Sequence, residues 1–258
     1  MIKEVSGGYV KSEFHTGVTT IEFFHPQSNS LPGKLLDTLA QTIHGAGNDD
    51  FTKVIVLRSG GSKAFCAGAS FDELINIKNE REGLHFFSGF AHVINAVRTC
   101  PKFVIARIHG KAVGGGVGIA AAADYAIAVE GADIKLSELA VGIGPFVVGP
   151  VIERQIGKAA FAHLAIDATM WRNADWAKRK GLYAELHPTI ESMDESIRVL
   201  SESLSHSNPI AMAEMKKIFW AGTENWNKLL IERAAISGKL VLSEFTKNAI
   251  AKFKLKIK

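Results

Sequence analysis

The chain has 258 residues, 47% hydrophobic and 22% charged, enough apolar material for one substantial core and far from the composition of a disordered chain. Its formal charge of +4 is a property of the tail. Lys247, Lys252, Lys254, Lys256 and Lys258 follow Phe245 with no acid among them, and without these five the balance is −1, so neither nucleic acid nor a membrane surface is indicated as a partner.

Cys66 and Cys100 form no paired framework and no CxxC, which argues against a disulfide scaffold and a zinc site. The first residues lack a signal-peptide apolar segment, and no run approaches a bilayer span. A cytoplasmic protein is expected.

In chain order, Val18–Phe24 is β-branched and aromatic and runs into His25-Pro26, the pattern of a strand entering a loop. Leu35, Leu36, Leu39 and Ile43 then recur at helical spacing between about Gly33 and Ile43. Lys53–Arg58 and Phe103–Ile108 are short, nearly continuous apolar runs, as in strands covered on both faces. Val117–Ala123 reads as a tightly packed small-residue helix and Tyr125–Val129 as a returning strand.

Beyond about residue 150 the pattern turns helical, over 151–166, 173–180, 194–205, 209–220 and 224–252. Asn208-Pro209 supplies a cap followed by proline at the first helical position. The expected organisation is a core over 1–199 and a helical appendage over 200–258.

Three segments carry chemistry. Phe65-Cys66-Ala67-Gly68-Ala69 is a turn of small residues, and Ser70 with Glu73 has the spacing of a capping box, so a helix is expected to start just after Ala69. Unsatisfied N–H groups at such a start favour negative charge. Gly114-Gly115-Gly116, between a strand and the small-residue helix, exposes N–H groups in the same way. The third segment places Glu138 at the end of a short strand before an apolar stretch, where desolvation would raise its pKa into the range useful for proton transfer.

A dinucleotide site is the competing reading of Gly116–Ala121, which matches G-x-G-x-x-A. In that fold the glycine would follow its strand at once, whereas here His109 to Val113 intervene.

Taken as an ordered set, these segments resemble the crotonase (enoyl-CoA hydratase/isomerase) superfamily. The first turn with Asp72-Glu73-Leu74 resembles that family's first oxyanion-hole motif, and Val113-Gly114-Gly115-Gly116 its second. Asp124 is similar to the family's acid after the small-residue helix, Ser137-Glu138 to its Pro-Glu pair, Gly157-Lys158-Ala159 to its Gly-Lys-Ala helix, and Ala174–Leu182 to its Ala-x-x-Ala-x-x-x-Gly-Leu segment.

The resemblance implies an α/β fold: a crotonase-like spiral of ββα units with a C-terminal helical oligomerisation region, assembled as a homotrimer or dimer of trimers. It implies an acyl-CoA substrate, with no cofactor beyond the coenzyme A of the substrate and no metal. Ala69 and Gly115 are then the oxyanion donors and Glu138 the acid/base. Cys66, Ala67, Gly68, Ser70, Phe71, Asp72, Gly114, Gly116 and Gly118 are expected to line the substrate site. The lysine tail reads as a solvated end, with the 3′-phosphate of CoA as its functional alternative.

Two departures bear on the reaction. Gly118 stands where two-carboxylate hydratases carry an acid, leaving Glu138 alone. Phe146, Val147 and Val148 add bulk where many relatives have a glycine-rich run, reminiscent of branched-chain members such as methylglutaconyl-CoA hydratases. A single base suits a double-bond shift or a specialised hydratase, with a decarboxylase or a catalytically degenerate acyl-CoA-binding member as alternatives. Cys66 is weighed as a nucleophile and set aside, because no histidine is identifiable as its base.

Overall fold

A computed structural model describes the backbone of residues 1–257 and the side chains of residues 1–252. The suggested phosphate contact through Lys254, Lys256 and Lys258 lies outside the described side chains.

The chain opens with β1 (Ile2–Val5), β2 (Gly8–His15) and β3 (Val18–Phe24), which pair antiparallel, and continues through β4 (Ser30–Leu31) to helix α1 (Gly33–Asn48). Three turns of strand, strand and helix follow. In the first, β5 (Val54–Ser59) leads through β6 (Ala64–Cys66), β7 (Gly68–Ala69) and the one-turn α2 (Phe71–Leu74) to α3 (Glu80–Thr99). The second comprises β8 (Phe103–Ile108), β9 (Lys111–Val113) and α4 (Gly115–Ala122). The third comprises β10 (Tyr125–Val129), β11 (Ile134–Lys135), a 3-10 turn at Leu139–Val141 and α5 (Gly149–Ile166). After α6 (Ala174–Arg179) and β12 (Glu185–His187) the chain is helical, in α7 (Ile190–Ser205), α8 (Pro209–Phe219), α9 (Trp226–Leu240) and α10 (Glu244–Ile257).

The leading strand of each turn joins one seven-stranded sheet, ordered β1-β2-β3-β5-β8-β10-β12, while the second strands build a three-stranded sheet, β11-β9-β6. This is the expected spiral of ββα units. Its axis is apolar on all sides: Ile55 and Leu57 of β5, Val104 and Ile105 of β8, and Val117 and Ile119 of α4 have no exposure, as strands covered on both faces require. Glycine lets α4 approach so closely. A Cβ on Gly116 would stand 2.5 Å from Cys66 O.

The structure departs from the sequence reading at several places, beginning with strands β1, β2, β4 and β12, which were not anticipated. Helix α3 was not anticipated. Its cap was legible, because Asn79 Oδ1 accepts from Glu82 N–H at 3.0 Å, but buried residues on several sides, Phe86, Phe87, Phe90, Ala91, Val93 and Ile94 among them, blur the one-sided periodicity. The helix read over 224–252 is two helices, with Ser243 Oγ accepting from Thr246 N–H at 3.2 Å to start the second. His109–Val113, read as an interruption before the glycines, contains β9. The capping box is half made. Ser70 accepts from Glu73 N–H, whereas Glu73 reaches across to Gly33 N–H at 2.7 Å.

Residue 200 falls within α7. Helix α9 packs along α3 of the same chain, and at the crossing a Cβ on Gly83 would come within 2.6 Å of Gly238 O. Helix α10 reaches the loop after Glu138, where Thr246 Oγ1 donates to Gly142 O at 3.1 Å. Helix α8 is tied to the sheet by a buried ion pair between Lys216 and Asp124 at 2.7 Å. The other oxygen of Asp124 accepts from Trp220 Nε1 at 3.1 Å. No helix among the described residues is long and apolar enough to cross a membrane.

Candidate active site

The small sheet explains why three segments far apart in sequence converge. Because β6, β9 and β11 are neighbours, the turns that leave them, at 67–70, 114–115 and 136–138, emerge side by side. The glycine turn lies in the middle. A Cβ on Gly68 would be 3.0 Å from Val113 O and 3.6 Å from Gly115 N, while a Cβ on Gly114 would be 2.9 Å from Glu138 Oε1. Gly114 itself has φ 53°, a conformation costly for a residue with a side chain, and its N–H donates to Lys135 O at 2.9 Å.

Both residues expected as donors line a common space. Leu31 pairs with Ala69 in the β4–β7 ladder, and Ser70 N–H donates to Leu31 O at 3.0 Å. In a parallel pair the ladder bonds on the second strand then run through Gly68 and Ser70, which turns the N–H of Ala69 to the other side. Gly115 N–H is the first of α4, and such N–H groups have no partner within their own helix. Ala69, Gly115 and Glu138 all line one inner cavity of about 70 Å³.

The carboxyl of Glu138 is enclosed by the wall of this cavity. Its Oε2 is buried with no hydrogen-bond partner among the described residues. Burial pushes the pKa up to about 7, opposed by the backbone N–H groups of Glu138 and Ser137, and a carboxyl near neutrality exchanges protons efficiently in either direction.

Around this centre the inner cavity is apolar, walled by Leu74, Phe87, Phe90, Ile143, Phe146 and Val148. Ala67, Phe71, Val113 and Ser137 belong also to an adjoining outer cavity of about 620 Å³, which Gln27, Lys63, Asp72, Lys135 and Trp171 help to form. Lys135 and Lys111 each hold an ammonium over the Trp171 ring, at 4.6 and 4.7 Å from its centre. Desolvation, and then the neighbouring Lys111, lowers the pKa of Lys135.

Of the residues expected in the substrate site, Ala67, Gly68, Phe71, Asp72 and Gly114 line these cavities, and Cys66, Ser70, Gly116 and Gly118 line neither. Those four stand behind the wall. Burial pushes the Cys66 thiol up to about 12, and its sulfur accepts from Gly68 N–H at 3.4 Å, the opposite of an activated nucleophile. Gly118 is covered by Val148.

Sequence reasoning missed Phe87, Phe90 and Ser237, which come from α3 and α9. The cap of α3 was a signal for the first two. Ser237 has no local signal, because its place depends on how α9 folds back.

Comparison with known proteins bears on the family and the fold. The family described as enoyl-CoA hydratase/isomerase matches residues 13–254. A carnitinyl-CoA dehydratase of Salmonella enteritidis is 28% identical over 207 residues, covering 80% of this chain and 78% of that protein. Among solved structures, an enoyl-CoA hydratase from Bacillus halodurans superposes with a TM-score of 0.87 at 22% identity, over 94% of this chain and 99% of that one. Pseudomonas aeruginosa OdaA gives 0.83 at 22% identity, over 95% and 98%. At such identities the structural likeness bears on the fold.

Proposed function

The chain belongs to the enoyl-CoA hydratase/isomerase family, and we propose that it moves the double bond of a 3-enoyl-CoA to the 2 position through a thioester enolate, with Glu138 as its one acid/base. The observation that carries this reading is the pairing of a buried carboxyl oxygen on Glu138, unpartnered among the described residues, with a cavity wall to which those residues bring no second carboxyl.

The thioester carbonyl is held by the N–H groups of Ala69 and Gly115. The carboxylate of Glu138 takes a proton from C2, and the electron pair moves onto the thioester oxygen as a dienolate. Two preorganised donors stabilise that oxygen most where its charge develops, and one such donor is worth about 3 to 4 kcal/mol. The protonated Glu138 then delivers its proton to C4, the carbonyl re-forms, and the double bond lies between C2 and C3. Every atom is conserved, so the step consumes no oxidant, reductant or other reactant. The apolar wall keeps water from the enolate, and the outer cavity, with Lys63 and Lys135 on its wall, suits a phosphorylated carrier.

Addition or loss of water is the second reading, favoured by the 28% identity to a protein named carnitinyl-CoA dehydratase. A panel of 2-enoyl-, 3-enoyl- and 3-hydroxyacyl-CoA esters separates the two. Isomerisation converts the 3-enoyl ester to a conjugated product of unchanged mass, seen in the ultraviolet, and hydration changes the mass by one water. Water exchange without any double-bond shift would replace the first reading with the second.

Assembly as a homotrimer or dimer of trimers belongs to the same proposal. The support in this chain is α8, which leaves Ile210 72% and Ile218 71% exposed, more apolar surface than a lone helix usually offers to water. Light scattering on the eluting protein gives its mass, and a species at the 27.9 kDa of one chain would refute the assembly.

A further inference from the structure

Among the hydroxyls buried on or beside helices, Ser237 stands apart. Ser88 donates to Leu84 O at 2.6 Å, Ser201 to Arg198 O at 3.1 Å, Thr223 to Trp220 O at 2.6 Å and Thr246 to Gly142 O at 3.1 Å. Ser237, on α9, is 1% exposed, yet its hydroxyl has no hydrogen-bond partner among the described residues. It lines the inner cavity.

Packing does not require that hydroxyl. The close crossing of α9 on α3 is made by the neighbouring Gly238 against Gly83, and a small residue is all that the site between them demands. Alanine is the better helix former and leaves no polar atom to desolvate. Ala234 fills the equivalent place one turn earlier with no exposure.

The wall around Ser237 limits what can meet it. Among the described residues no lysine, arginine or histidine lines the inner cavity, so a carboxylate brought there would be buried without a cation from them. A quaternary ammonium has neither an N–H nor a lone pair, and would leave the hydroxyl as unpaired as before. An uncharged oxygen satisfies it.

We infer that Ser237 is a specificity residue that hydrogen-bonds an uncharged oxygen, a hydroxyl or carbonyl, carried by the acyl chain away from the thioester. The inference rests on the reading of the inner cavity as the acyl site. The acyl group is then an oxygenated chain whose carbon stem contacts Phe87, Phe90 and Phe146 while its oxygen reaches α9.

The test pairs saturated acyl-CoA esters, plain and terminally hydroxylated, over a ladder of chain lengths, and measures their binding to the wild-type protein and to Ser237→Ala by calorimetry. At the best length the wild type prefers the hydroxylated ester about tenfold, the worth of one neutral hydrogen bond, and in Ser237→Ala the ratio falls toward one. Equal binding of the two esters by the wild type, or a preference that survives in Ser237→Ala, overturns the inference. The same pairs as 3-enoyl esters report turnover. A binding preference at Ser237 with no turnover of any ester supports the specificity residue and counts against the enolate chemistry, and failure of every CoA ester to bind removes both.

Discussion

Val148 occupies the space into which a side chain at position 118 would project. A Cβ built on Gly118 would stand 2.8 Å from the Cβ of Val148 and closer still to its Cγ1. Gly118 lies within α4 and Val148 is the residue before α5, so two helices meet at the position where the family resemblance leads one to expect a second acid. The space beside Gly118 is therefore a packed apolar contact rather than an open gap.

Gly118→Ala should destabilise the fold by about 1–3 kcal/mol through overpacking, and Val148→Ala should lower stability by leaving a cavity. Combined, the two should cost less than the sum of their separate effects, because each relieves the other. Denaturant unfolding of the four proteins of this cycle reads the coupling, and strict additivity would mean that the two residues do not touch.

Glu138→Gln should lower turnover of a 3-enoyl-CoA by about 10²–10⁴-fold, the usual worth of a positioned acid/base, while CoA-ester binding persists. In the wild type the free enzyme needs the carboxylate to begin. kcat/KM should rise with pH and pass half its plateau near the raised pKa of about 7. A profile flat from acid to neutral pH would show that another group takes the proton.

The same shift affects stability, with the opposite preference. The folded-state pKa lies above the ordinary value of 4.5, so between these two values the native protein binds more protons than the unfolded chain, and stability falls as pH rises. The loss is complete above about 7 and amounts to about 3 kcal/mol. Glu138→Gln should thus be more stable than the wild type at pH 8 and converge with it toward pH 4, as measured by unfolding at each pH.

Gly114→Ala should be more damaging to catalysis than to folding. Its Cβ would stand 2.9 Å from Glu138 Oε1, and its φ of 53° is strained for alanine; strain of this kind costs about 1–3 kcal/mol. The turn would then shift, moving Glu138 and the Gly115 N–H together, and kcat should drop by about 10²-fold or more. Steady-state kinetics beside a melting curve separates the two effects, and unchanged kcat would detach this turn from the chemistry.

Much of the site was legible because its parts are local. The glycines at 114–116 and the small residues at 66–69 announce close backbone approach, and Ser70 and Asn208 cap their helices as spacing suggests, with Ser70 accepting from Glu73 N–H and Asn208 from Ile210 and Ala211 N–H. The elevated pKa of Glu138 was foreseeable from the apolar residues that follow it. Less legible was the separation of residues that face the cavity from those that hold its wall. Cys66 and Gly116 share motifs with Ala67 and Gly115, yet α4 packs against Cys66 from behind, and neighbours in sequence take opposite sides of one layer.

Local propensity and motif order by themselves thus indicated the leading strands of the spiral, the family, and the two turns with one carboxylate on which the proposed chemistry depends, but not helix α3 or strand β9. Tertiary structure alone decided that β6, β9 and β11 lie side by side, that Val148 fills the space above Gly118, and that α9 brings Ser237 to the inner cavity. Such contacts join residues tens of positions apart. They follow from which faces can be buried together in three dimensions, and no short window of sequence contains both partners.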